Sequence, residues 1–313
     1  MGAPLYPARR PRRLRRGDLV ALVAPSWQVD PARLAQGCAL LASWGLRVST
    51  GAHVLDRCSG LGNLAGRDAD RAADLERAWL NPDIAAVVCA RGGYGAMRIL
   101  EHLDWAAMER AAPKIFLGSS DITVLHQAVA ARLGVATLFG PMLATTTPGE
   151  PDPDSLCALR TMLFHPEQAQ VLTSPEVRVL VAGRARGITT GGTLTLLAAT
   201  AGTSTAGPGA TGGIAFLEDL NEAPYRIDRM LTQLLRAGWF TGVTAIVAGR
   251  WLRCGTPAEV DQVLLERLGP LGVPLLAGLD FGHGGRQLTI PLGVPAELDT
   301  GTGTVTLTTP ALH

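Results

Sequence analysis

The feature that most restricts what this 313-residue chain can fold into is the alternation, through its first half, of unbroken apolar runs with helix-period segments. Leu19–Ala24, Ile84–Cys89 and Ile115–Leu117 are apolar throughout, and Leu46–Ser49 is strand-like. Between them, Pro31–Trp44 and Gly66–Leu80 carry apolar residues at helical spacing, with Pro31 suited to a first turn. A strand apolar at every position must be covered on both faces, which is the condition of a parallel sheet wrapped in helices. In such sheets ligands gather beyond the carboxyl ends of the strands.

The second half repeats the theme less regularly. Gly212–Leu217, Val243–Ala248, Leu275–Gly278, Leu288–Leu292 and Thr304–Thr308 read as strands, with Pro224–Ala237 and Pro257–Leu268 as helices. Gly183–Leu197 reads as a glycine-rich turn entering an apolar segment. Pro148, Pro151, Pro153, Pro166 and Pro175 interrupt the periodicity between the halves. The expectation is an α/β protein of two domains: a basic, solvated and disordered leader over 1–16, a first domain over 17–147, a linker over 148–180 and a smaller second domain over 181–313.

A formal charge of +1, with 18% charged residues, gives no footprint for nucleic acid or an anionic membrane. The arginines from Arg9 to Arg16 precede an apolar stretch, Leu19–Pro25, too short for a secretion signal, and no run approaches a membrane span. Five cysteines, odd in number and without metal-like or redox-like spacing, suggest free and mostly buried thiols in a reducing cytoplasm.

Two stretches fall where strands end. Lys114-Ile-Phe-Leu-Gly-Ser-Ser-Asp-Ile-Thr-Val-Leu-His126 reads as a strand turning sharply into an amphipathic helix, with Ser119 and Ser120 at the turn. A serine there has its hydroxyl pushed out of the sheet toward the N–H groups of the new helix, as in a nucleophile elbow. Only half of the usual Gly-x-Ser-x-Gly pattern is present, because Ile122 stands in the second glycine's place; Ser119, Ser120 or Asp121 could equally cap the helix. The second stretch, Ala90-Arg-Gly-Gly-Tyr-Gly-Ala96, follows an apolar run, and its glycines let backbone approach a ligand closely. Its spacing matches neither a dinucleotide fingerprint nor a P-loop.

A serine nucleophile needs a base, and the base an orienting carboxylate. Of six histidines, His53, His102, His126, His165 and His313 read as structural or solvated, whereas His283 is flanked by Gly282, Gly284 and Gly285 and stands unshielded on a loop. For the carboxylate, Glu218 ends a strand, with Asp219, Glu222 and Asp228 as competitors.

Taken in order, Gly17-Asp18 with Ala24-Pro-Ser26, Arg91-Gly-Gly-Tyr-Gly95, Gly118-Ser-Ser-Asp-Ile-Thr123, Gly140-Pro-Met142, Phe216-Leu-Glu-Asp219 with Pro224-Tyr-Arg-Ile-Asp-Arg229, and Gly282-His283 with Pro291-Leu-Gly293 resemble the LD-carboxypeptidase family of serine peptidases. That family also contains the microcin C immunity proteins. The resemblance implies a first domain like the class I glutamine amidotransferases, a smaller α/β second domain, homodimers and no metal or other cofactor. It implies a triad of Ser120, His283 and Glu218, an oxyanion hole from the backbone of Asp121 and of Gly92 or Gly93, and release of C-terminal D-alanine from murein tetrapeptides in cell-wall recycling. An aminoacyl-nucleotide conjugate is the alternative substrate, and a silent α/β module binding a small ligand the alternative of another class. Arg91 and Arg226 are candidate partners for a substrate carboxylate. The chain departs from the family pattern at Ser119, where an aromatic residue is usual, and at Thr193, where an asparagine is usual.

Overall fold

The computed structural model describes residues 4–58, 63–144, 151–203 and 206–313. Its first sheet is built from β1 (Leu19–Val23), β2 (Arg47–Thr50), β3 (Ile84–Cys89), β4 (Ile115–Gly118) and β5 (Thr137–Phe139), all parallel. The order β2-β1-β3-β4-β5 reverses direction between β1 and β3, which opens a crevice at their carboxyl ends. Helices α1 (Pro31–Ser43), α2 (Asp68–Leu80), α3 (Trp105–Arg110) and α4 (Thr123–Leu133) connect the strands. All six residues of β3 are buried, as an unbroken apolar run requires. The chain's single lysine, Lys114, is buried at the base of β4 and donates to the carbonyls of Asn81 at 2.7 Å and Ile84 at 2.6 Å.

The 148–180 segment is not a plain linker. Its Pro148 lies outside the described residues, but beyond it come α5 (Pro153–Phe164), capped by the Asp152 carboxylate, then β6 (Val171–Leu172) and β7 (Arg178–Val181). Proline at the first turn starts α5 rather than breaking it. The remaining elements are β8 (Arg184–Thr193), α6 (Leu194–Thr200), β9 (Gly213–Leu220), α7 (Pro224–Arg236), β10 (Ala245–Leu252), α8 (Pro257–Leu268), β11 (Leu275–Ala277), β12 (Ile290–Leu292), β13 (Pro295–Asp299) and β14 (Thr304–Leu307).

These form a mixed eight-stranded sheet ordered β6-β14-β13-β8-β9-β10-β11-β7, with β8 to β11 parallel and the flanks antiparallel. The glycine-rich 183–193 stretch is thus a strand, not a turn. Gly191 and Gly192 are there because a side chain would collide with the Phe216 backbone and with Thr123 respectively. Strand β12 leaves the second half to pair antiparallel with β5, closing the edge of the first sheet.

Two further expectations are corrected. Residues 4–16 are not disordered, although most of their arginines are exposed: Leu14 is buried, and backbone N–H groups of Leu5, Ala8 and Arg9 donate to Thr211, Gly293 and Gly134. Helix α4 is not amphipathic, since Thr123 through Val129 are all buried. It lies between the two halves, where Thr123 Oγ1 accepts from the Thr193 N–H at 3.0 Å and Gln127 Nε2 donates to the Gly191 carbonyl at 3.0 Å. All five cysteines are free, but only Cys89 and Cys254 are buried. Among the described residues, no helix is long and apolar enough to cross a membrane.

Candidate active site

Strand β4 ends at Gly118, and the chain turns at Ser119 and Ser120 into a short 3-10 turn, Ser120–Ile122, before α4. Ser120 stands at φ +60°, a left-handed backbone that costs an L-residue energy and that a nucleophile elbow characteristically imposes. A Cβ on Gly118 would lie 2.8 Å from a methyl of Ile122, so Ile122 occupies the room that Gly118 provides. This is why the elbow forms without the second glycine.

No side chain of Ser119, Ser120 or Asp121 caps the new helix. The Asp121 carboxylate instead accepts from Ser26 Oγ at 2.6 Å and from the Ala96 N–H at 2.8 Å. It thereby ties the elbow to the loops following β1 and β3. Burial pushes the Asp121 carboxyl above its ordinary value, against the two hydrogen bonds that favour its charged form. Buried Arg71 joins the same loops from below, donating to the carbonyls of Pro25 and Gly95, the latter at 3.0 Å. His126, which read as structural, lies beneath the turn. Its Nε2 donates to the Gly118 carbonyl at 2.9 Å, its Nδ1 accepts from Thr137 Oγ1 at 2.9 Å, and burial lowers its pKa to about 4. It is a neutral prop beneath the elbow.

From the second half come Glu218 on β9 and His283 on the loop after β11. His283 Nε2 lies 3.1 Å from Ser120 Oγ, and His283 Nδ1 lies 2.7 Å from Glu218 Oε2. Because the carboxylate can only accept, Nδ1 carries the proton and Nε2 is left to receive one from Ser120. Glu218 is fully buried, and its Oε2 also accepts the His283 backbone N–H at 3.0 Å. Gly282, at φ +92°, permits this approach, since a Cβ there would collide with the Glu218 carboxylate. Its other oxygen, Oε1, accepts from Thr193 Oγ1. Burial works to raise the Glu218 pKa, but the His283 charge and the hydrogen bonds from His283 and Thr193 outweigh it and hold the carboxyl below its ordinary value.

The glycine turn lies against this chain of groups. A Cβ on Gly92 would stand 2.9 Å from Ser120 Cβ and 3.2 Å from its Oγ, while one on Gly93 would overlap the Trp27 ring. Arg91 lies over that ring, 5.4 Å from its centroid, and donates to the Gln28 carbonyl at 3.1 Å. Arg226 is on the surface, 3.5 Å from Glu222 and over the Tyr225 ring. A cavity of about 380 Å³ has His283, Gly284, Arg250, Arg253 and Arg286 in its wall, but neither Arg91 nor Arg226. Among the described residues one His–Asp–Asp group has metal-ligand chemistry: His53, Asp56 and Asp70 lie within 4.8 Å of one another, outside the Ser120 site, with Arg67 holding Asp70 at 2.6 Å.

Thr193 is the site residue that sequence reasoning registered only as a departure. The glycines before it, which draw β8 against β9 and α4, were the signal for its position.

The signature of the LD-carboxypeptidase N-terminal domain matches residues 20–140, and that of the LD-carboxypeptidase C-terminal domain residues 186–298. SCO6489 of Streptomyces coelicolor, whose name assigns it provisionally to the carboxypeptidases, is 52% identical over 97% of both chains. The murein tetrapeptide carboxypeptidase of Pseudomonas aeruginosa is 32% identical over 90% of this chain and 92% of its own. The solved structure of MccF in complex with glutamyl sulfamoyl guanosine superposes with a TM-score of 0.86 at 23% identity, covering 97% of this chain and 99% of that one, a likeness of fold. With both domain signatures in order and relatives matched nearly end to end, this chain belongs to the LD-carboxypeptidase family.

Proposed function

We propose that the chain is a serine peptidase that hydrolyses the amide joining an L-configured centre to a C-terminal D-amino acid, releasing D-alanine from a murein tetrapeptide. The observation that carries this reading is the unbroken hydrogen-bonded path from Ser120 through His283 to Glu218. Ser120 Oγ attacks the carbonyl as His283 Nε2 takes its proton, and Glu218 holds the ring and balances the imidazolium. Negative charge on the carbonyl oxygen is met by the Asp121 N–H and an N–H of the Gly92-Gly93 turn. His283 then gives its proton to the leaving amine. Water, deprotonated by the same imidazole, cleaves the acyl-enzyme. The similarity to a murein tetrapeptide carboxypeptidase supports the substrate.

The test is mass spectrometry of the purified protein incubated with a murein tetrapeptide ending in D-alanine and an aspartyl-adenylate phosphoramide analogue, beside Ser120→Ala. Loss of D-alanine with the wild-type chain only is the expected result. Cleavage of the nucleotide conjugate alone would replace the substrate, and cleavage of neither would overturn the peptidase reading.

A further inference from the structure

The cavity beside His283 is unusual in its charge. Its charged lining outside His283 is Glu176, Arg178, Arg250, Arg253 and Arg286. Three of these guanidinium groups already have acidic partners. Arg178 is bound to Asp261 at 2.7 Å, Arg250 to Asp280 and to Glu176 at 3.3 Å, and Arg286 to Asp280 at 3.5 Å. Among the described residues, Arg253 has neither an ion pair nor a side-chain hydrogen bond. Four cations therefore face three carboxylates, and the wall retains one uncompensated positive charge. Arg253 also sits at φ +57°, in the turn that follows β10. Non-glycine residues held in the left-handed region cluster at active sites and ligand clamps.

We propose that Arg253 is a specificity-determining residue that receives the free C-terminal carboxylate of the substrate in this cavity. The inference rests on the peptidase reading given above. When His283 Nε2 returns its proton to the leaving nitrogen, the departing residue must lie beside the imidazole. Its carboxylate is separated from that nitrogen by one Cα, so it falls within one residue's length of His283, a step of about 3.8 Å between Cα atoms. His283 and Arg253, whose guanidinium has no acidic partner among the described residues, both line this one cavity. Arginine's planar fork can take both oxygens of a carboxylate, and an internal peptide bond at the same place would offer no charge to pair with it. Arg253 would thereby select chain ends over chain interiors.

The experiment compares the full-length wild type with Arg253→Gln on two tetrapeptides, one ending in D-alanine and one in D-alaninamide. The wild type should prefer the acid, and Arg253→Gln should lower its kcat/KM by about 10- to 100-fold, mainly through KM, the range for a lost charge-assisted hydrogen bond. The amide rate should stay within about twofold, a control that a fold defect would not preserve. Persistence of the acid preference in Arg253→Gln, or its absence in the wild type, would overturn the assignment. Both proteins are also titrated with N-acetyl-D-alanine and its amide by NMR. If the wild type hydrolyses neither tetrapeptide, the peptidase reading fails, and the titration still decides the residue's role. Carboxylate-dependent binding lost in Arg253→Gln supports it, whereas equal binding by both proteins, or none by the wild type, rejects it.

Discussion

The hydroxyl of Thr193 donates to Oε1 of Glu218, the carboxylate oxygen that His283 leaves unused. Glu218 is fully buried, so each oxygen needs a donor, and the two come from different elements, β8 and the loop after β11. Thr193→Val keeps the shape and removes one donor. Because the folded Glu218 pKa is depressed, its stabilising contribution is present above the unfolded value and is lost as pH falls through the folded one. The substitution should cost about 1.5–3 kcal/mol at neutral pH and progressively less as Glu218 protonates. Urea unfolding at a series of pH values measures this, and a cost independent of pH would argue against the role.

Ser120 presents a separate trade between stability and activity. At φ +60° its backbone is strained, and glycine would occupy that conformation without strain. Ser120→Gly and Ser120→Ala should both lose hydrolysis by about 10⁴-fold or more. Ser120→Gly should nevertheless be the more stable of the two by about 1–2 kcal/mol, since alanine keeps the strain. Equal denaturant midpoints for the two variants would show that the elbow relaxes in solution.

Gly92 tests the wall opposite the serine. Its φ is not in the left-handed region, so alanine is allowed by the backbone and excluded only by Ser120 and by the Met142 methyl at 3.3 Å. Gly92→Ala must displace the Ser120 turn to fit, so it should lower the unfolding midpoint by the cost of one overpacked contact, about 1–3 kcal/mol, while kcat falls by about 10²–10³-fold, the scale of a lost oxyanion donor. Wild-type kcat in this variant would remove the glycine turn from the site.

Much of this architecture was legible because burial writes itself into composition. An all-apolar strand such as Ile84–Cys89 and a Pro-started helix such as Pro257–Leu268 carry their reasons locally, and both have the expected bounds. The turn at Ser120 was legible from the apolar run before it and from Gly118, but helix capping explained the same residues, and only the Ser120 φ of +60° separates the two readings. The juxtaposition of Ser120 and His283, which are 163 residues apart, came from family resemblance, since spacing along the chain carries no such information. Thr193 escaped because glycines that permit close strand contact look like a turn in sequence. Helix α4 escaped for a related reason: it is covered on every side only once a second domain is docked against it. The Arg9–Arg16 run is exposed as its charge implies, but the segment is not disordered, because its backbone and Leu14 are held by the body of the protein, which no charge pattern reveals.

Asp219 gives the sharpest pH signature. Burial first, and the adjacent Glu218 charge second, raise its pKa to about 6, although Thr195 and the Leu220 N–H donate to its carboxylate. For a carboxyl whose folded pKa is raised, the stabilising contribution is complete below the unfolded value and disappears as pH climbs through the folded one. Asparagine cannot ionise, so Asp219→Asn lacks that dependence. Replacing an acceptor with an amide adds an offset from the Leu220 contact, but that offset does not vary with pH. The stability of Asp219→Asn relative to wild type should consequently rise by about 2–3 kcal/mol between the ordinary aspartate range and neutrality, with most of the change complete once pH passes about 6. Paired urea titrations across that interval measure the difference directly. A flat difference would mean that Asp219 is ionised at the same pH in the folded and unfolded chains, and that Thr195 and Leu220 compensate fully for its burial beside Glu218.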